Sequence, residues 1–392
     1  MTKEPYMNTK RFRYRIKTFF IMRSILVAFS LLLLTFAGKA QLINPPSGDN
    51  QICEVKQYMG SLAHVDVKYN SPGVKGRTGK IWGDLVPWGM EKNNIGSAAE
   101  IPWRAGANEN TVITLSHNML INGKAIPAGS YGFHIIPQKD MPWVLIFNKT
   151  NTAWGSYSYD AKDDALRIEV SPVSAPFSEW LTYEFTNRKP ESTTLQLRWE
   201  NLAIPMEISL PNGNDLYLAK FREDLKGNKG FYWQNYIEAV NFCVNNNTNL
   251  EQALTWADQA ISGTFVGQKN FTTLSAKASV LEKMGKVVEA EAMMDQAIKH
   301  PTADVIQIHG YGRQLLGAGM KDKALKIFEY NYKHHGGDWP SPAGMVRGLS
   351  ANGRYKEALE FAEKALMVAP DEANKTFLKS AIEKLKMGKD MN

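Results

Sequence analysis

The densest group of chemically able side chains is the run Trp103-Arg104-Ala105-Gly106-Ala107-Asn108-Glu109-Asn110, which leads into an alternating stretch at Thr111–Ser116. A guanidinium gives two parallel hydrogen bonds to a carboxylate or phosphate, while an amide and a carboxylate orient hydroxyls and an indole offers a flat apolar floor. Trp103, Arg104, Asn108 and Glu109 could therefore read a small polar ligand, a carbohydrate included. The same residues also make an ordinary turn, in which Arg104 pairs with Glu109 while Asn108 and Gly106 serve the tight backbone. Both readings stand on the sequence. His134 joins them as a candidate. Alternation over Ser130–Ile136 puts Phe133 and Ile135 on one face and His134 on the other, as a ligand contact or as a buried, hydrogen-bonded histidine.

Other reactive residue types fall into blander patterns. His64, Asp66 and Lys68 share the solvent side of a strand, His117 reads as a turn residue, and His300 and the His334-His335 doublet sit at helix or loop ends. No His-x-x-x-His pair or Cys/His cluster has metal-ligand spacing, and neither a Gly-x-Ser-x-Gly elbow nor a phosphate-cradling Gly-rich loop occurs. Asp163-Asp164, near Trp154 and Tyr157–Tyr159, is loosely similar to a sugar cleft, but adjacent acids in a turn read as solvated. No catalytic residue, metal or cofactor is assigned.

The elements that must position these residues change period midway. From Gln51 to about Leu210 the chain alternates, most strictly at Ala63–Tyr69. Strands are expected at Thr111–Ser116, Ser130–Ile136, Trp143–Asn148, Ala165–Val170, Trp180–Thr186, Thr193–Glu200 and Met206–Leu210, separated by turn signals such as Asn122-Gly123. Short strands without helical pattern between them predict an antiparallel β-sandwich or barrel-like domain. Most of its seven tryptophans are expected in the core. Beyond Pro211-Asn212-Gly213-Asn214 the period becomes helical. Ala253, Ala290, Ala324 and Ala358 recur at steps of 37, 34 and 34 residues, and Gly285, Gly319 and Gly353 stand five residues before the last three. Ala260, Ala297 and Ala365 follow seven residues after their anchors, with Asn331 the exception; Thr248 stands where the first unit lacks its glycine. Small residues permit close helix packing and glycine supplies a left-handed turn, so the ~34-residue spacing predicts a tetratricopeptide-like α-helical solenoid. The Lys- and Glu-rich last helix, Asp371–Met387, reads as its cap. Such arrays hold a protein or peptide partner in a groove. Tyr236, Arg313 and Trp339 are the candidate contacts on the first helices. Cys53 and Cys243 are expected as two buried free thiols.

The formal charge of +7 belongs to the beginning of the chain. Residues 1–40 carry eight basic side chains and one acid, leaving 38 of each sign in the remainder, so no electrostatic footprint for nucleic acid persists. A basic n-region, an apolar run at Ser24–Ala37 and small residues at Gly38 and Ala40 predict a signal peptide over 1–40, cleaved after Ala40, and a periplasmic or secreted protein with no membrane contact after cleavage. An uncleaved anchor is the rival reading, though Arg23 leaves the apolar run short of the ~20 residues that span a bilayer. The expected organisation is thus 1–40 signal peptide, 41–213 β-rich domain and 214–392 helical repeats with a capping helix.

Five segments carry a family resemblance: YNSPGVKGR at Tyr69–Arg77, IWGDLVPW at Ile81–Trp88, WRAGANEN at Trp103–Asn110, INGKAIPAGSYGFHIIP at Ile121–Pro137 and WGSYSYDAKDDALR at Trp154–Arg167. Through them the first half resembles the bacterial domain of unknown function 2911. The resemblance implies a β-rich fold in an exported protein, accompanied by a helical array such as the one after Trp233-Gln234, and implies little about activity. The chain departs from the pattern between Gly89 and Pro102, where MEKNNIGSAAEIP replaces a very short link. An enlarged loop beside the Trp103-Arg104 motif is expected.

Overall fold

Alternating residues in the first half do form strands, and the computed structural model describes them within residues 46–392. The expected signal peptide lies outside the described residues. In chain order the strands are β1 (Gln51–Met59), β2 (Ala63–Ser71), β3 (Glu91–Lys92), β4 (Glu100–Ile101), β5 (Thr111–Leu115) and β6 (Met119–Ile121). There follow β7 (Lys124–Ile126), β8 (Gly129–Ile136), β9 (Trp143–Asn148), β10 (Asp164–Val170), β11 (Val173–Thr186) and β12 (Ser192–Ser209). They pair antiparallel into a six-stranded sheet, β1-β2-β5-β8-β9-β10, a four-stranded sheet, β11-β12-β6-β7, and the separate β3-β4 pair. Asn122 and Gly123, both left-handed, make the tight turn between β6 and β7 that a two-residue hairpin requires.

The two larger sheets meet face to face. Val65, Val67, Phe133 and Phe147 of one, and Leu181, Tyr183 and Leu197 of the other, are buried. Tyr183 ties the layers together: its ring packs edge-on against Tyr69 at 4.8 Å, and its hydroxyl donates to the Ala105 carbonyl at 2.8 Å. One corner closes as a barrel would, because the chain leaving β2 crosses to β11 through Val74 N to Glu179 O (2.7 Å) and Leu181 N to Pro72 O (2.9 Å). The two strands expected over Thr193–Leu210 are one, β12. It survives the polar Glu200-Asn201 because Glu200, at φ +53°, forms a bulge, and pairing with β11 resumes at Leu202 and Ala203. The tryptophans also depart from expectation. Only Trp143 and Trp199 are fully buried in this unit; Trp88, Trp154 and Trp180 are exposed. Cys53 is half-buried rather than buried, Cys243 is buried, and both are free thiols.

A second compact unit begins at Asn212. Helix α1 (Gly213–Asp224) precedes four hairpins: α2 (Trp233–Asn245) with α3 (Leu250–Ser262), α4 (Phe271–Lys283) with α5 (Val287–Ile298), α6 (Val305–Gly317) with α7 (Lys321–His335), and α8 (Ser341–Ala351) with α9 (Tyr355–Val368). Helix α10 (Glu372–Lys386) follows. Capping boxes start α4 (Asn270 with Thr273) and α6 (Asp304 with Gln307). Gly285, Gly319 and Gly353 take φ of +76°, +77° and +74°, and each following residue donates to the carbonyl five positions back: Lys286 to Leu281, Met320 to Leu315, Arg354 to Leu349, all at 2.9 Å. The first hairpin uses the same closure without glycine. Asn247, not Thr248, is its left-handed residue at φ +47°, and Thr248 donates to Cys243 at 3.0 Å.

All four anchor alanines are buried. Asn331, the exception among the later small positions, is buried too and donates to the Val305 carbonyl at 2.9 Å, clamping α7 to the start of α6. Phe328 of α7 sits in a cradle of glycines. A methyl on Gly344 would lie 2.6 Å from its ring and one on Gly348 2.9 Å, while Gly312 approaches it more closely than either. Helix α10 lays Leu378, Ala381, Ile382 and Leu385 on the last hairpin and keeps its Lys–Glu pairs outside, which is how a solenoid end is made soluble.

Candidate functional site

Loop 102–110 is held at both ends by the sheet. Trp103 exchanges two backbone hydrogen bonds with Ile135 (2.9 and 2.8 Å), continuing the edge of β8 that β5 leaves unpaired, and Ala107 N reaches Asn70 O at 3.2 Å. Within the loop Ala105 and Asn108 adopt left-handed φ of +51° and +55°. The consequence is a split of the sequence-predicted residues. Trp103, Arg104 and Asn108 line a cavity of about 510 Å³. Glu109 turns away and accepts from Asn70 Nδ2 at 2.7 Å, and His134 does not line the cavity but bonds Ser156 of the loop 149–163. The expected Arg104–Glu109 pair does not form. Instead Arg104 Nη1 donates to Asn108 O at 2.7 Å, and its guanidinium stacks over the Tyr157 ring at 4.9 Å.

His134 is 2% exposed and its Nδ1 lies 2.9 Å from the Ser156 hydroxyl, itself buried. Burial drives the imidazole pKa down to about 4; Asp164 opposes the shift and Arg104 adds to it. A serine beside a neutral histidine has the makings of a nucleophile and base, but neither residue lines the cavity, and the pair pins loop 149–163 over the sheet. Behind it Asp164 accepts from Tyr159 (2.8 Å), Asn148 (2.8 Å) and Arg167 (2.6 Å). Asp164 is therefore a buried structural acid, contrary to the solvated reading.

The rest of the cavity comes from residues not singled out from sequence: Lys75 and Arg77 after β2, Glu91 on the inserted segment, and Trp199 on β12. Arg77 belongs to the Tyr69–Arg77 segment of the family resemblance, which was the available signal. Trp199 carried none beyond its type. The enlarged loop after Gly89 is an ordered hairpin, β3-β4, fastened to loop 149–163 by Ala98 N to Tyr157 O at 3.2 Å, and it forms one cavity wall. Trp103 and Trp199 stack nearly parallel, 18° and 6.1 Å apart, and Trp82 packs edge-on against both. Among the described residues no three His, Cys, Asp or Glu side chains converge as a metal site, and no helix is long and apolar enough to cross a membrane.

In the second unit Arg313 is exposed on α6, whereas Tyr236 is half-buried against the first hairpin's core. Trp339 is not on a first helix. It lies in the turn before α8, half-buried against the core of the last hairpins. The open apolar surface lies elsewhere. Between the second and third hairpins two adjoining cavities of about 170 Å³ each share Met294, Tyr311 and Leu315, with Val287 and Met320 exposed on the rim.

Residues 51–208 match the model of the family described as protein of unknown function (DUF2911), a span that covers the sheets of the first unit. Over those residues the first unit is similar to that family, and the second unit is an array of helical hairpins with tetratricopeptide-like spacing. Among solved structures, MamA (41 to end) from Desulfovibrio magneticus RS-1 is similar at 15% identity, over 40% of this chain and 90% of that one, with a TM-score of 0.28. YrrB, described as a TPR protein with an unusual peptide-binding site, is 19% identical over 44% of this chain and 86% of its own, with a TM-score of 0.29. No curated protein matches the chain.

Proposed function

We propose that the protein is an exported, non-catalytic scaffold whose helical repeats hold a segment of another polypeptide. The observation that carries the reading is the apolar cleft between the second and third hairpins, floored by Met294, Tyr311 and Leu315, with Val287 54% and Met320 41% exposed at its mouth. Exposed aliphatic groups beside a cavity of one side chain's size suit an apolar anchor, whose burial contributes roughly 1.5–3 kcal/mol. The Glu291–Lys323 pair, Asp295 and Lys326 edge the cleft and suit a partner with charges flanking that anchor. Panning a random peptide library on the protein tests this. Selected peptides should share an apolar anchor and lose at least about tenfold in affinity, some 1.4 kcal/mol, on Val287→Glu with Met320→Glu. Unchanged affinity in that double variant would sink the reading. Export is part of the proposal and rests on the basic n-region and the apolar run Ser24–Ala37. N-terminal sequencing of protein recovered from the cell envelope should begin at Gln41; an intact leader would remove that part.

A further inference from the structure

We propose that the cavity of the first unit is a receptor site for an acidic saccharide of one or two rings, its carboxylate, sulfate or phosphate held between Arg77 and Arg104. The inference is independent of what the repeats bind.

The charge balance comes first. Arg77 donates through Nε to Val74 O (2.9 Å) and through Nη2 to Gly73 O (2.8 Å), and Arg104 donates through Nη1 to Asn108 O. Both guanidiniums are fixed by carbonyls, and neither has a carboxylate partner within ion-pair distance among the described residues. Glu109, on the same loop as Arg104, is committed to Asn70. Lys75 adds a third positive charge, which donates to Gly48 O (2.8 Å) and is partly neutralised by Asp49 (3.6 Å), while Glu91 is the one carboxylate lining the cavity among the described residues. A guanidinium has five N–H donors, so each arginine keeps donors for an oxyanion in the fork geometry that suits it.

Preorganisation is the second point. The Arg104 plane lies between the Tyr157 ring and Gly155, where even a methyl group would collide with the guanidinium. Holding a long cation rigid before a ligand arrives removes the ordering cost that binding otherwise carries. Third, Trp199 is 1% exposed, lines the cavity, and its indole Nε1–H has no hydrogen-bond partner. A buried donor left unmade costs about 1–3 kcal/mol, and a ligand oxygen would satisfy it. Fourth, the walls suit a body larger than a bare ion. Leu85, Ile101 and Pro102 face the same space as the arginines, Trp103 offers an indole face, and the Asn50 and Asn108 amides stand at the rim for hydroxyls. An apolar ring face, hydroxyls and one anionic group on a body that fits about 510 Å³ describe an acidic sugar.

Titration calorimetry of the full-length protein against glucuronate, glucose 6-sulfate and glucose 6-phosphate and their disaccharide counterparts tests the site and sorts the three anionic groups. Glucose and inorganic sulfate and phosphate are the controls. At least one acidic sugar should saturate with Kd below about 1 mM and at least tenfold tighter than every control. Arg77→Gln and Arg104→Gln should each weaken it tenfold or more. Arg104→Lys should recover part of the loss, and Glu91→Gln should tighten binding severalfold; circular dichroism and a thermal melt of each variant establish folding. Failure of all acidic sugars to saturate by about 10 mM overturns the proposal. So does equal binding of glucose or of the bare ions, or full affinity in a folded Arg77→Gln, Arg104→Gln double variant.

Discussion

Gly319 closes α6 ahead of α7, and replacing it separates backbone strain from packing. Its φ is +77°, and a methyl placed there would meet nothing within 4 Å. Collision therefore contributes nothing, and the cost of Gly319→Ala is the intrinsic penalty of an L-residue in the left-handed region, roughly 1–2 kcal/mol. Part of that is offset because alanine restricts the unfolded chain, an effect of about 0.4–1 kcal/mol, which leaves a net loss near 1 kcal/mol. Asparagine tolerates the left-handed region better than alanine. The first hairpin already uses it, since Asn247 at φ +47° supports the same closing hydrogen bond that Gly319 supports for Met320. Gly319→Asn should therefore cost less than half as much. Hydrogen exchange of the α6 and α7 amides, read by mass spectrometry, resolves the difference: about fivefold faster exchange for alanine and under twofold for asparagine. Equal acceleration by the two substitutions, or none by alanine, would refute the assignment of the cost to φ. Gly285 and Gly353 are equally open and should behave alike.

Two further outcomes follow from the packing and burial. On α6, Gly310→Ala should stabilise by about 0.5–1 kcal/mol through helix propensity, because nothing lies within 4 Å of the new methyl. Gly312→Ala gains the same propensity yet drives its methyl to 2.7 Å from the Phe328 Cζ, and closer still to another ring carbon, so overpacking of about 1–3 kcal/mol wins and urea midpoints should move in opposite directions for the two. In the first unit, His134 is neutral in the fold, with its pKa lowered from 6.5 to about 4 by burial. The unfolded chain binds the extra proton between those values, so the stabilisation is complete above pH 6.5 and lost as pH falls through 4, a swing on the order of 3 kcal/mol. Urea midpoints at pH 7, 5.5 and 4 should show a shallower decline for His134→Gln than for the parent, and parallel declines would contradict the burial argument.

The repeat array was legible because its determinants are local. Buried alanines recur at fixed spacing, and three glycines sit where only a left-handed residue closes the helix. Even the irregular members obey the same physics, since Asn247 tolerates the turn and the buried Asn331 amide donates to the Val305 carbonyl. The strand domain is legible as alternation, but alternation lapses over 201–205, so the sequence predicts two strands where the bulge at Glu200 lets β12 run on as one. The cavity was only partly legible. Trp103, Arg104 and Asn108 were found as neighbours in sequence, whereas Arg77 and Trp199 reach the same space only through the corner where β2 crosses to β11. Left-handed Ala105 and Asn108 sent Glu109 the other way, and nothing about an alanine announces that conformation.

His134 shows how a residue can serve a site it does not touch. Alternation exposes it on the outer face of β8, where a neutral imidazole would gain nothing from burial unless something covered it. Loop 149–163 does so, because Ser156 bonds the ring and Tyr159 packs edge-on against it at 5.5 Å. Once Ser156 is fixed, its neighbours Gly155 and Tyr157 are fixed on either side, and they are the two residues that hold the Arg104 guanidinium. Tyr157 also accepts the Ala98 N–H through its carbonyl, so the inserted β3-β4 hairpin that walls the cavity hangs from the same peptide. The buried histidine–serine contact thus supports both the orientation of the cation and the position of the wall, beside the Arg104 bond to Asn108 O and the Gly89 bond to Pro137 O. A charged imidazole there would be desolvated and repelled by Arg104, so burial keeps the ring neutral until the pH falls to about 4.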